Sequence, residues 1–402
     1  MKRIRTYATA VCTAAAVLLA GDAVYAKEEQ AKEVTYHPHI TIPVVEKELA
    51  ANMPRFYYDT GYDFTYPEDG VRGVYVTGHS AGGARLEELL KLTDKTDLNT
   101  MVIDIKDDFG NLTFKPPEDS DLPEIGKNMI DDPVTLMDTL EKHKIYPIAR
   151  IVVFKDTVLA EQKPEWSYLQ NGNIWKNGRG EAFVNPYLKE VWDYNVNIAK
   201  EAAKLGFKEI QFDYVRFPEG FETRDDSLEY SKGEYKEEKD NVQSRVTAVT
   251  DFVEYAREEL QKGFDVDVAV DIFGYSATLK EAPGIGQNFS KISSNVDVIS
   301  SMIYPSHWTP YFGIDKPDLH PYELTREYAK VENKVLEKLE NPPTSRPWIQ
   351  DFTASWLGNG NYQTYGVKEV EEQIKALNDS GIDEFLLWNA TNRYTNGVDY
   401  TP

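Results

Sequence analysis

Eight short runs of apolar, β-branched residues recur along this chain, and they restrict its fold more than any other feature of the sequence. Each run ends in polar or glycine-rich residues, and helical patterns separate most of them. Such alternation predicts a parallel sheet, and eight strands favour a closed α/β barrel, the (β/α)8 TIM barrel, over an open sheet. The predicted strands are Val71–Thr77, Met101–Asp107, Tyr146–Phe154, Glu209–Arg216, Val266–Phe273, Val296–Tyr304, Arg346–Phe352 and Glu384–Asn389.

The segments between the strands agree with this architecture. No glycine-rich phosphate loop follows the first strand, which disfavours a doubly wound nucleotide-binding fold. Only a short tail follows the last strand, so the eighth helix is expected to be reduced or missing. Residues 27–69 are Pro- and Tyr-rich and are expected to form an arm that packs on the barrel of residues 70–402. The predicted helices are Ala84–Leu92, Pro133–His143, Leu188–Leu205, Val242–Lys262, Tyr322–Leu339 and Val367–Asp379.

Residues 1–26 have the pattern of a secretory signal peptide. Three basic residues precede an almost uncharged stretch from Tyr7 to Ala20, and Val24 and Ala26 suit cleavage after Ala26. The apolar run is short for a membrane span, so an uncleaved anchor is the weaker interpretation. Cys12 is the single cysteine, so we expect an exported, extracellular protein without disulfides.

The chain is acidic, with a formal net charge of −23. This charge repels nucleic acid, anionic lipid and phosphate-rich polymers, and it suits neutral or cationic ligands, although it also serves solubility. We therefore expect no nucleic-acid partner and no membrane association after signal cleavage. The sequence leaves the oligomeric state open.

Three long connections follow strands three, four and six, at the end of the barrel where such folds place their sites. They are Lys155–Pro186, Glu219–Asn241 and Ser306–Pro321. The first and third are rich in aromatic residues, which suit the apolar faces of sugar rings or simply hold the loops in place. His307 and Trp308 belong to the third connection and are candidate substrate contacts.

Asp213 is the central candidate for chemistry. A two-residue strand period places Gln211 and Asp213 on one face of strand four. Phe212 and Tyr214 fall on the opposite face, which is expected to meet the helices. Asp213 should therefore point into the barrel near its carboxyl end.

The same alternation directs other acidic side chains inward. Asp104 on strand two and Asp271 on strand five are expected to converge with Asp213, with Asp108 at the rim. Lys106 and Arg150 are expected to neutralise part of this charge and keep Asp213 ionised. Other candidates for substrate binding or support are Arg216, Tyr304, His307, Trp308, Asp351, Trp388 and Asn389.

Two carboxyl groups with unequal pKa values are what glycoside cleavage requires, one ionised and one holding a proton for the leaving oxygen. This pattern predicts hydrolysis of O-glycosidic bonds in an extracellular or cell-surface polysaccharide, with Asp213 as nucleophile and Asp271 as acid/base. A buried salt-bridge network without chemistry is the alternative. The separation of the two carboxyl groups decides between retaining and inverting chemistry, and the sequence does not provide it.

Several segments carry a resemblance to a known family. They are Val71-Arg-Gly-Val-Tyr-Val-Thr-Gly-His79, Met101-Val-Ile-Asp-Ile-Lys-Asp-Asp108, Phe183-Val-Asn-Pro-Tyr187 with Trp192 and Tyr194, and Phe212-Asp-Tyr-Val-Arg-Phe-Pro218. Over roughly residues 70–395 the chain resembles the putative glycoside hydrolase domain family, exported barrels that are distantly similar to the α-amylase superfamily.

By analogy with amylase-type barrels, the resemblance implies that Asp213 is the nucleophile and that Asp351 matches the strand-seven aspartate. Two positions depart from the amylase pattern. Asp271 stands where those enzymes have a glutamate acid, and Gln211 stands where they have an arginine two residues before the nucleophile.

Two alternative functions remain open. One is a non-catalytic barrel that binds glycan through its aromatic loops. The other is a metal-dependent deacetylase, which needs closely spaced histidines with an aspartate. His37 and His39 lie in the arm, no His-x-x-x-His occurs, and only His79 and His307 can meet at the barrel mouth. We expect neither a metal nor another cofactor.

Overall fold

The computed structural model describes residues 56–116, 120, 122 and 126–401, so the predicted signal peptide and residues 27–55 of the predicted arm lie outside it. Eight parallel strands form the sheet that organises the chain. They are β1 (Arg72–Val76), β2 (Thr100–Lys106), β3 (Tyr146–Val152), β4 (Glu209–Asp213), β5 (Asp267–Phe273), β6 (Val298–Met302), β7 (Trp348–Gln350) and β8 (Phe385–Trp388).

Each strand pairs with the next along the chain, and the sheet closes because β1 pairs with both β2 and β8. Val74 lies opposite Met101 of β2 and opposite Leu387 of β8. The predicted (β/α)8 barrel is therefore confirmed. A small apolar cluster that includes Val102, Ile148 and Leu386 fills its interior, and a larger one lies between the strands and the helices.

Seven helices connect consecutive strands. Asp132 caps the second helix by accepting a hydrogen bond from the backbone N–H of Thr135, and Gly206, with φ of 110°, ends the third. The described tail after β8, residues 389–401, contains no helix, as expected. The helices are α1 (Arg85–Thr93), α2 (Pro133–Lys142), α3 (Lys189–Leu205), α4 (Asn241–Gln261), α5 (Phe289–Ser293), α6 (Pro321–Leu336) and α7 (Val367–Asn378).

Several short elements were not predicted. Strands Leu112–Phe114 and Gly126–Ile130 extend the sheet outward from β2, and strand Thr344–Ser345 pairs with β6. Strands Leu169–Gln170 and Asn173–Ile174 form a hairpin in the connection after β3, and short helices cover Gly78–Ala81 and Thr157–Gln162. Elements of two to six residues are too short to show a reliable hydrophobic period.

An irregularity in β2 changes which way one charged side chain points. Asp104 pairs with Arg150 of β3, but Lys106 pairs with Ile151, so β2 contains one extra residue at this point. Such a β-bulge breaks the alternation of faces. Lys106 consequently points toward the helices, and the prediction that it faces the barrel interior is wrong.

The amino-terminal end of the barrel is closed by a buried ionic cluster around Arg346. Its guanidinium donates to both carboxylate oxygens of Glu209 at 2.7 Å and to Oε2 of Glu384 at 2.7 Å. Tyr66, from the described part of the predicted arm, accepts a fourth hydrogen bond from Arg346 and donates to Glu384. Burial raises the pKa of Glu209 to about 7 despite the opposing charge of Arg346.

In the described part of the chain, no helix has the length and apolar character needed to cross a membrane.

Arg346→Met should destabilise the barrel by about 3–5 kcal/mol at pH 8, because Glu209 and Glu384 would remain buried without their cation. The loss should be smaller at pH 5, where Glu209, whose pKa is already raised in the folded state, takes up a proton and no longer buries a charge. Urea unfolding at the two pH values measures both effects.

Lys330→Met is the matched control, because Lys330 pairs with Glu327 on an exposed helix surface. Such pairs contribute less than about 1 kcal/mol. Equal losses for Arg346→Met at pH 5 and pH 8 would contradict the assigned role of the cluster.

Candidate active site

A cavity of about 730 Å³ opens at the carboxyl ends of the strands. Its wall contains two buried arginines, four carboxylates and a group of aromatic side chains. This is the end at which (β/α)8 barrels place their sites. The wall residues that follow are Asp108, Arg150, Asp213, Tyr214, Arg216, Asp271, Tyr304, His307, Trp308, Trp348 and Trp388.

Asp213 is the last residue of β4, and its side chain points into the barrel. Arg150 donates two hydrogen bonds to Oδ2 of Asp213, at 3.0 Å from Nε and 2.5 Å from Nη2. The backbone N–H of Tyr214 donates to Oδ1 at 2.6 Å. The carboxylate of Asp213 is therefore held in one orientation at the edge of the cavity.

Tyr214 follows Asp213 with φ of 53°, a left-handed conformation that is uncommon for a residue with a side chain. Because β4 ends at Asp213, the alternation of faces does not extend to Tyr214, and its ring lines the cavity. The prediction that Tyr214 meets the helices is wrong for this reason. Lys155 donates a hydrogen bond to the Tyr214 hydroxyl at 3.0 Å.

Arg150 is the buried cation around which the acidic side chains gather. Besides Asp213, it contacts Oδ1 of Asp104 at 2.7 Å and Oδ2 of Asp108 at 3.3 Å. The strand register places Arg150 beside Gln211, the position where amylase-type barrels have their arginine. The guanidinium thus reaches Asp213 from the neighbouring strand, β3, instead of from β4.

Asp271 of β5 lies next to Asp213, since the register pairs the preceding residues, Phe212 and Val270. Burial and the negative charge of Asp213 raise the pKa of Asp271 well above its ordinary value. The indole N–H of Trp348 donates to Oδ1 of Asp271 at 2.7 Å. Oδ2 makes no hydrogen bond to any other described residue, and Asp271 lines the cavity.

The two other carboxylates that contact Arg150 differ from each other in pKa. Burial raises the pKa of Asp104 to about 6, although Arg150 opposes the shift, and the hydroxyl of Tyr75 donates to Asp104 at 2.5 Å. Burial also disfavours the charge of Asp108, but Arg150 and Lys155 outweigh it and lower the pKa of Asp108 to about 2. Asp108 is the accessible member of the group, with 34% of its side chain exposed.

Lys106 does not join this cluster. It forms a fully buried ion pair with Asp156 at 2.6 Å and donates to Asn195 of α3 at 2.9 Å. Lys106 therefore stabilises the contact between the barrel wall and its outer layer, and the expectation that it neutralises the inner carboxylates is wrong.

Asp351 and Asn389 also lie away from the cavity wall. Both oxygens of Asp351 accept hydrogen bonds from Thr395, at 2.8 Å from the backbone and 2.6 Å from the hydroxyl. Asn389 donates to the backbone carbonyls of Asp351 and Arg393. In this structure the two side chains fasten the segment after β8 to the barrel.

The other sequence candidates meet at the cavity. The ring of Trp388 stacks on Tyr75 with centroids 4.1 Å apart, and both rings lie near the Arg150 guanidinium. The wall also includes Tyr304, His307, Trp308 and Arg216.

Sequence reasoning missed four side chains that position this group: Tyr75, Lys155, Tyr214 and Trp348. Lys155 immediately follows a predicted strand and Tyr214 follows Asp213, so their nearness to the strand ends was the available signal. In the sequence, Tyr75 and Trp348 have the pattern of ordinary core residues in apolar strands. Their hydrogen bonds, from β1 to Asp104 of β2 and from β7 to Asp271 of β5, form between strands, which a pattern within one strand does not indicate.

In the part of the chain that the structure describes, no group of three or more His, Cys, Asp or Glu side chains is arranged to hold a metal ion.

Solved structures share the fold. The glycoside hydrolase domain of PgaB (BpsB) from Bordetella bronchiseptica matches with a TM-score of 0.54 and 14% identity, covering 80% of this chain and 94% of that one. A β-galactosidase from the psychrophilic Marinomonas ef1 matches with a TM-score of 0.52 and 11% identity, covering 79% and 54%. A hypothetical protein from Ruminiclostridium thermocellum is 33% identical over 49% of this chain and 96% of its own, with a TM-score of 0.41.

No curated protein matches the chain by sequence. A family model does match, over residues 73–394, which include all the barrel strands from the second residue of β1 to β8. The description of that family is Putative glycosyl hydrolase domain. The chain belongs to the Putative glycosyl hydrolase domain family.

Proposed function

We propose that this protein is an exported glycoside hydrolase that cleaves O-glycosidic bonds of an extracellular or cell-surface polysaccharide, with Asp213 as nucleophile and Asp271 as acid/base. The observation that carries the proposal is the difference between two neighbouring carboxyl groups. Asp213 accepts two hydrogen bonds from a buried arginine, whereas burial and the charge of Asp213 raise the pKa of Asp271. Glycoside cleavage uses one ionised and one protonated carboxyl group.

The position of the pair favours retaining chemistry. Asp213 and Asp271 follow paired residues on adjacent strands, and adjacent parallel strands lie about 4.8 Å apart. Retaining enzymes place their two carboxyl groups about 5–5.5 Å apart, whereas inverting enzymes separate them further to admit a water molecule.

In the first step, an oxygen of Asp213 bonds to the anomeric carbon while Asp271 gives its proton to the departing glycosidic oxygen. In the second step, Asp271 takes a proton from water, the water oxygen bonds to the anomeric carbon, and the Asp213 ester breaks. Both carboxyl groups return to their starting states, and the anomeric configuration is retained.

The surrounding side chains suit a sugar in the cavity. Trp388, Tyr304 and Trp308 provide flat apolar rings, and the partly exposed carboxylate of Asp108 can accept hydrogen bonds from hydroxyl groups. The acidic net charge favours neutral or cationic polysaccharides over phosphate-rich ones.

A second candidate function is non-catalytic glycan binding. Both oxygens of Asp213 already accept hydrogen bonds, from Arg150 and from the backbone of Tyr214, which also suits a purely structural carboxylate. The tests of activity below separate the two functions.

Asp213→Asn should lower kcat by roughly 10⁴-fold or more, because an amide does not form the covalent intermediate. Asp271→Asn should lower it by about 10²–10⁴-fold, because the leaving oxygen loses its proton donor. Release of reducing ends from neutral and amino-sugar polysaccharides measures both losses.

Asp351→Asn is the matched control, because Asp351 is a buried carboxylate after β7 that accepts hydrogen bonds from Thr395 and does not line the cavity. It should lose far less activity than Asp213→Asn. If the wild type binds a glycan of this set and leaves it intact, and Asp213→Asn binds it equally well, the binding function is correct and hydrolysis is not.

Trp348→Phe should move the alkaline limb of the pH–rate profile to higher pH. The indole N–H stabilises the ionised form of Asp271, so its removal raises the pKa of Asp271 further and keeps the acid protonated at higher pH. The measurement is kcat/KM from pH 4 to pH 10 for both proteins. An unchanged alkaline limb, or a shift to lower pH, would show that Asp271 is not the acid.

A further inference from the structure

Two stacked aromatic pairs stand at the mouth of the cavity, and the chemistry above uses neither of them. Phe352 and Trp356 follow β7, and Phe273 and Tyr275 lie at the end of β5. In each pair the outer ring is exposed, with 65% of Trp356 and 38% of Tyr275 accessible to solvent.

The Phe352–Trp356 pair is a rigid extension of the cavity wall. The two rings lie 5.8 Å apart at an interplanar angle of 21°. His307, which lines the cavity, presents its edge to both rings, with centroids 6.3 Å from Phe352 and 6.4 Å from Trp356. Phe352 also contacts Tyr304 of the cavity wall at 6.0 Å. Aromatic contacts therefore continue from the cavity to Trp356.

The Phe273–Tyr275 pair belongs to the cavity itself. The rings lie 5.6 Å apart at an angle of 26°, and both residues line the wall. The guanidinium of Arg216 lies over the Phe273 ring at 4.8 Å and provides a cation–π contact to this inner ring. Tyr275 is thus supported from beneath by Phe273, as Trp356 is by Phe352.

The two pairs occupy different points on the rim. They follow β5 and β7, which are separated by β6 in the closed sheet. Between them the wall runs through Trp308, Tyr304 and His307. A ligand that touches both outer rings must therefore extend along the rim past β6.

Isolated exposed aromatic residues are common on protein surfaces and need no explanation. These two differ because each stacks on an inner ring that lines or contacts the cavity wall. A flat, immobilised ring loses little entropy when it receives the apolar face of a sugar. Two such rings on separate parts of the rim suit a linear ligand with several sugar units.

We propose that Trp356 and Tyr275 are sugar-binding subsites at the mouth of the cavity, and that the substrate is a glycan chain that binds through several sugar units at once. This inference rests on the proposed hydrolase function and adds to it the substrate class: chains of neutral or amino-sugar units long enough to reach both rings, not mono- or disaccharides.

A length series tests the proposal. The probes are linear oligosaccharides of two to six units of glucose, galactose, N-acetylglucosamine and glucosamine. For the series that the wild type cleaves, kcat/KM should rise steeply with length up to the hexasaccharide.

Trp356→Ala should lower kcat/KM on the hexasaccharide by about tenfold or more while changing it by less than about twofold on the shortest cleaved oligosaccharide. Tyr275→Ala should also act mainly on the longer chains. The control is Tyr58→Ala, which removes a ring that is 52% exposed and whose backbone N–H bonds to Gly263, close to the amino end of β5. It should leave every length unaffected.

Release of single terminal units at a rate that Trp356→Ala does not change would overturn the inference and leave the proposed hydrolase function intact. If no oligosaccharide is cleaved, titration calorimetry with the hexasaccharides still tests the subsites, since Trp356→Ala should weaken binding and Tyr58→Ala should not. Absence of both cleavage and binding across all the probes would overturn both proposals.

Discussion

The Arg150 guanidinium lies fully buried inside the barrel and contacts Asp104, Asp108 and Asp213, and the arrangement of the site depends on it. Without this cation, several carboxylates in an apolar interior would be too costly to ionise together. The cation offsets this cost for the carboxylates that it contacts: Arg150 and Lys155 lower the pKa of Asp108 to about 2, and Arg150 opposes the burial that raises the pKa of Asp104 to about 6. Asp271, which Arg150 does not contact directly, has its pKa raised well above the ordinary value by burial and by the charge of Asp213. Because the cation contacts only part of the acidic group, adjacent carboxyl groups have different pKa values.

A buried arginine contacts carboxylates at each end of the barrel, but the surroundings of the two clusters differ. At the amino-terminal end, Arg346 and Glu209 are fully buried, and Glu384 and Tyr66 lie at the edge of the cluster. At the carboxyl end, Arg150 is equally buried, and its partners Asp108 and Asp213 border the aromatic-lined cavity. The amino-terminal cluster is suited to stability and the carboxyl-terminal one to chemistry, the roles that the two ends have in barrels of this kind.

The strand and helix pattern predicted the barrel because eight elements of regular period leave few other ways to bury their apolar faces. The inward direction of Asp213 and Asp271 followed from the two-residue period of strands. Two predictions failed where that period breaks. The bulge in β2 turns Lys106 toward the helices, and the left-handed φ of Tyr214 turns its ring into the cavity. The hydrogen bond from Trp348 to Asp271 joins residues far apart in the chain, which no local pattern encodes.

Burial and the negative charge of Asp213 raise the pKa of Asp271 well above its ordinary value, and the proposed acid/base role requires Asp271 to hold a proton at neutral pH. Infrared difference spectroscopy tests it without knowledge of the substrate. The spectrum of the wild type minus that of Asp271→Asn at pH 7 should contain the carbonyl band of a protonated carboxyl group. In Asp213→Asn the same band should disappear at a lower pH, because the neighbouring negative charge is gone. A difference spectrum that shows only ionised carboxylate for Asp271 at pH 7 would contradict the account.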